Sequence, residues 1–179
     1  GVQTCALPIC EEFSVSESRD QSFRGAVRRW PDFCRGERFM IGALRRWLRG
    51  GEDWQRAIRD AGRHLKPALA MSFTNALNSL GEGLGGGARR MLRLRTPLSN
   101  HVSADERAII ALVGAIQHDR FEHAHALLNY LVQDHAGRTV MIHAVTIAKT
   151  MAKGGFNLAA PVAHRPIWTP DQIRLRAIA

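Results

Sequence analysis

Apolar residues recur at helical spacing through most of the chain. Between Arg35 and Arg49 they fall at Met40, Ala43, Leu44, Trp47 and Leu48, one stripe along one helix face. Gly50-Gly51 close that stretch, since glycine accepts the left-handed conformation in which helices commonly end. A second stripe, Trp54, Ala57, Ile58, Ala61 and Leu65, predicts a helix over 53–65. Lys66-Pro67 breaks it, and Pro67 suits the first turn of a third helix over 67–80, with Leu69, Phe73, Leu77 and Leu80 inward. Ser103-Ala104-Asp105-Glu106 has capping-box spacing: the Ser hydroxyl accepts from an early amide and the Glu carboxylate reaches back to the cap amide. It opens a helix whose inner face is Ile109, Leu112, Val113 and Ile116. Two more helices are expected. The first covers 119–133, with Phe121, Ala124, Leu128, Leu131 and Val132 inward; the second covers 139–153. In that last segment Val140, Met141, Ala144, Val145, Ile147, Ala148 and Met151 leave few polar positions, which predicts a central helix. A short helix over 22–30, stopped by Pro31, would make seven.

The breaks set the expected organisation. Residues 11–21 are rich in Ser and Glu and read as a mobile polar lead-in. Gly81–Gly87 (GEGLGGG) is the strongest interruption and reads as a hinge within a single helical domain over 22–155. Arg89–Arg95 alternates at its end as a short strand would, but nothing is available to pair with it, so an extended connector is expected. Residues 156–179 carry Pro161, Pro166 and Pro170 and read as a tail. No internal repeat is found. The expected fold is all-α: six or seven short helices, the C-terminal three forming an antiparallel bundle that supports basic N-terminal helices.

The start of the chain reads differently. Gly1–Ile9 resembles a translated short-read sequencing adapter: the codons GGA GTT CAG ACG TGT GCT CTT CCG ATC encode these residues in order, and a final T begins a codon for Cys10. A signal peptide would need an initiator Met, a basic n-region and a longer apolar run. Residues 1–10 are therefore set apart from the fold. The expectation is a metagenomic, bacterial chain with its natural N-terminus missing, and with it any targeting signal. Of three cysteines, only Cys34 then belongs to the protein, too few for a disulfide or a Cys-based zinc site. A reducing, cytoplasmic compartment is expected.

Composition adds less than charge. The 179 residues are 45% hydrophobic and 23% charged, ordinary values for a globular chain. No run approaches the ~18 apolar residues of a membrane span. The formal charge is +9. It is not evenly spread: residues 24–66 sum to +7 and 67–103 to +3, whereas 104–155 are neutral. Arg far outnumbers Lys, as a GC-rich genome would produce, but codon bias does not create a surplus over acids. Arg38, Arg45, Arg46 and Arg49 lie at neighbouring positions on one helix, and Arg56, Arg59 and Arg63 repeat that spacing on the next. With Arg89, Arg90, Arg93 and Arg95 on the connector, they form the candidate nucleic-acid or other anion-binding set. Trp30, Trp47 and Trp54 are interleaved and could stack on bases, although Trp47 and Trp54 fall on apolar stripes.

Catalytic chemistry finds little support. Gly81–Gly86 matches G-x-G-x-x-G but lacks the strand before and helix after that a dinucleotide loop needs. His118, Glu122 and His125 are the weak metal candidates; Glu122 and His125 form E-x-x-H, but a di-iron bundle needs two such motifs and further glutamates. Cys34 as a nucleophile has no local signature. No cofactor is expected. The chain reads as a non-catalytic binding or regulatory protein with an anionic partner. The alternative is a protein-interaction or homo-oligomerisation module using apolar helices in 104–155, and a metal-dependent enzyme is a minor third.

Overall fold

The computed structural model describes residues 30–160, so the polar lead-in, nearly all of the short first helix, and residues 161–179 of the tail lie outside the described residues. The fold is all-α. A 3-10 turn, Trp30–Asp32, precedes six helices: α1 (Arg35–Arg49), α2 (Gly51–His64), α3 (Pro67–Gly87), α4 (Ala104–Gln117), α5 (Phe121–Leu131) and α6 (Asp134–Lys153). α3 packs most extensively on α6, α4 touches α1, α5 and α6, and the α1–α2 hairpin leans on α3. The hairpin turns at Gly50, whose φ of 65° closes α1 and opens α2, a conformation that favours glycine.

Three expectations are corrected. The first is the hinge. Gly81–Gly87 is the last part of α3, not a break. A side chain on Gly81 would run into the Trp47 ring, and one on Gly87 would overlap Ala136 of α6. These glycines thus trade helix propensity for close approach of neighbouring helices, and packing outweighs the propensity cost of ~1 kcal/mol each.

The second concerns the central helix. Ten of the fourteen residues of α4 are buried, against seven of twenty in α6. α6 leaves Ile142 exposed and Met141 and Val145 half-buried. It also begins at Asp134, running through Gly137 rather than starting after it.

The third is the tail. Phe156 and Leu158 are buried, so the packed body continues past Gly154-Gly155. Gln117 holds this segment: its amide donates to the carbonyls of Ala148 and Phe156, and its Oε1 accepts from the Leu158 N–H at 2.8 Å. Phe156 stacks on Phe39 with centroids 4.5 Å apart, and Phe39 also meets Phe73 at 5.0 Å, tying the segment after α6 to α1 and α3.

Candidate functional site

The connector between α3 and α4 is extended, as expected, and an antiparallel bridge from Ala88 to Val132 anchors its start. Its alternation sorts the side chains. Leu92 and Leu94 pack on the core, while Met91, Arg93 and Arg95 are exposed. Two adjacent acids at the start of α4 hold it there. Asp105 accepts from the Arg93 N–H at 2.7 Å and from both terminal nitrogens of Arg90, and Glu106 accepts from the Arg95 N–H at 2.9 Å. Glu106 also completes the capping box expected with Ser103, accepting from the Ser103 N–H at 2.8 Å while the Ser103 Oγ accepts from the Glu106 N–H at 3.1 Å.

Arg45 lies behind this clamp. Its side chain and that of Glu106 are both fully buried. The guanidinium grips the carboxylate through Nε at 2.7 Å and a terminal nitrogen at 3.0 Å. Its remaining donors reach the carbonyls of Ser99 and His101, both at 2.7 Å. It also lies 5.3 Å from the centroid of Trp30. Arg45 therefore joins α1 to α4 and folds the connector over both. Its expected place in an anion-binding stripe is corrected: a guanidinium with no exposed surface and all three nitrogens bonded within the fold cannot meet a phosphate. Sequence reasoning missed it, but a signal was present. Arg45 stands four residues after buried Ile41 and one after buried Leu44, inside the apolar stripe.

These contacts move the carboxylates' proton affinities. Hydrogen bonds from Arg90 hold Asp105 below its ordinary range, outweighing its partial burial. Burial pushes Glu106 upward, but Arg45 and the N–H groups of Ser103 and Arg95 overcome it, leaving the carboxyl below its ordinary range. Arg90, bonded to Asp105 and to the Tyr130 hydroxyl, keeps its proton more tightly than usual.

The other candidate arginines divide. Arg46 pairs with Asp60 at 3.0 Å, Arg49 with Asp53 at 3.5 Å, Arg56 with Glu52 and Asp53, Arg63 with Asp60, and Arg89 with Asp134. Such surface pairs satisfy much of the local charge while adding little stability. Arg38, Arg59, Arg93 and Arg95 are exposed and form no ion pair among the described residues. The interleaved tryptophans also separate. Trp47 is tied to α3, its indole N–H donating to Asn78 Oδ1 at 2.9 Å, whereas Trp30 faces a cleft.

That cleft, about 180 Å³, lies between α1 and α2 and exists because Gly42, Ala43 and Ala57 are small. α1 contributes Arg38, Phe39 and Arg46 to its walls, α2 contributes Asp60 and His64, and Trp30 and Pro97 complete it. It therefore combines aromatic surface with cationic groups, and the connector forms one side.

The remaining candidates have structural placements. His118 meets the Leu158 carbonyl at 3.0 Å, Glu122 and His125 are exposed on α5, and among the described residues no group of three or more His, Cys, Asp or Glu is gathered to hold a metal. Cys34 is the N-cap of α1: its sulfur accepts from the Glu37 N–H at 3.5 Å while Glu37 accepts from the Cys34 N–H at 2.8 Å. The G-x-G-x-x-G stretch is helical, so its amides serve the helix rather than a phosphate loop. No described helix is long and apolar enough to cross a membrane. No protein-family model, curated protein or solved structure matches the chain.

Proposed function

We propose that this is a non-catalytic binding protein that takes an anionic partner, nucleic acid, on the basic surface of the connector and the α1–α2 hairpin. The observation that carries this reading is the way the connector is held. Asp105 and Glu106 bind the backbone N–H groups of Arg93 and Arg95, so both guanidinium groups stay exposed and form no ion pair among the described residues. Arg38 and Arg59 add exposed cations on the adjoining helices that form no ion pair among the described residues. A set of this kind neutralises phosphates and releases counterions without reading sequence.

The test is fluorescence anisotropy with labelled single-stranded and duplex oligonucleotides over a range of salt. Log K should fall linearly with log salt concentration, and R93Q/R95Q should reduce the slope by about 1 for each phosphate no longer neutralised. No binding at low salt, or an unchanged slope in R93Q/R95Q, would overturn the reading.

The protein-interaction alternative has narrower support. Most apolar residues of 104–155 lie inside the fold, but Phe121, Tyr130 and Ile142 remain about half exposed. It calls for a dimer or complex in light scattering.

A further inference from the structure

We infer that the α1–α2 cleft is a binding site for a single-ring aromatic carboxylate, the ring lying against Trp30 and Phe39 and the carboxylate on Arg38. Size comes first. A volume of about 180 Å³ is small for a drug-sized ligand. It is close to the ~150 Å³ of an engineered protein cavity that binds benzene, so one ring with a short substituent is what it can hold.

Charge comes second. Among the described residues the lining contains one carboxylate, Asp60, and that group is already bonded to Arg46 at 3.0 Å and to Arg63 at 3.1 Å. Arg38 is the lining guanidinium without an ion pair among the described residues. A planar fork of donors at the edge of an aromatic cleft matches a carboxylate, which it can hold through two parallel bonds. A cationic ligand would meet Arg38 and Arg46 without a free acid to answer it.

Preorganisation comes third. The walls are fixed before any ligand arrives. The backbone N–H of Trp30 donates to the Asn100 carbonyl at 2.9 Å and the Trp30 ring lies against the Arg45 guanidinium, while Phe39 is packed between Phe73 and Phe156. Little ordering is then left for binding to supply.

Arg38 also belongs to the proposed nucleic-acid surface, but this inference does not depend on that reading: its test uses a different probe and a variant other than R93Q/R95Q. The full chain is titrated calorimetrically and by NMR with benzoate, with cyclohexanecarboxylate, acetate and benzylamine as controls. Benzoate should saturate at millimolar concentration and shift the Trp30 indole resonance, binding about tenfold or more tightly than acetate or benzylamine. Cyclohexanecarboxylate should bind more weakly than benzoate. R38Q should weaken benzoate by about tenfold while leaving the circular dichroism spectrum and melting unchanged, and R38K should fall between the two. R93Q/R95Q should bind benzoate as the parent does. Failure of benzoate to saturate, equal binding of benzylamine, or an unchanged affinity in R38Q would each overturn the assignment.

Discussion

Replacing Arg45 by methionine tests the organisation of the whole molecule. The methionine keeps much of the aliphatic stem and removes every charged contact. Glu106 is left fully buried with the N–H groups of Ser103 and Arg95 as partners but no cation. Breaking a buried pair by removing one member costs ~3–5 kcal/mol, because the remaining charge is uncompensated. That is a large share of the ~5–15 kcal/mol by which a folded domain is usually stable. At ~2–4 °C per kcal/mol for a chain of this size, melting should fall by roughly 6–20 °C.

Urea denaturation of R45M, E106Q and the double variant closes a thermodynamic cycle. The double variant should be more stable than R45M, because an uncharged amide no longer needs the guanidinium while its oxygen can still accept from one backbone N–H. A loss in R45M below about 1 kcal/mol, or additive single losses in the double variant, would refute the view that this pair fastens the connector between α1 and α4.

Two further predictions concern other parts of the same framework. Asp105 and Glu106 have folded-state proton affinities below their ordinary values of 3.8 and 4.5, so their contribution is complete above those values and is lost as pH falls through the lower folded ones. Stability by chemical denaturation should therefore be level above roughly pH 5 and decline below it, with a shallower acid decline in D105N. In α3, Gly85 and Gly86 have open space where a Cβ would go, so G85A and G86A should each stabilise by ~0.5–1 kcal/mol. G87A should instead destabilise by ~1–3 kcal/mol through its overlap with Ala136; thermal melts of the three variants check both signs.

Local rules read much of this fold. The α1 stripe, the Pro67 start of α3 and the Ser103 capping box each depend on neighbours a few residues apart, and they stand where their spacing puts them, except that Leu48 at the end of the stripe is exposed. What local spacing does not carry is partnership across the chain. The glycine run looks like a hinge until Trp47 and Ala136 are placed against it. Arg45 looks like surface charge until Glu106, sixty-one residues away, faces it. Phe156 looks like tail until it stacks on Phe39. The candidate site divides in the same way. The alternation that exposes Arg93 and Arg95 was legible, while the acid partners of Arg46, Arg49, Arg56 and Arg63 needed helix geometry as well as sequence order. Cys34 as a cap lies outside the usual preference for Ser, Thr, Asp and Asn.

The backbone clamp on the connector has a consequence for how this protein can change. Asp105 and Glu106 recognise the amides of residues 93 and 95, and every residue except proline offers the same amide. The outward side chains at these positions can therefore be rewritten, by descent or by a combinatorial library, with the backbone hydrogen bonds of the anchor kept. The connector works as a display strip whose lettering is independent of its fastening, and a new partner could be selected on an unchanged scaffold.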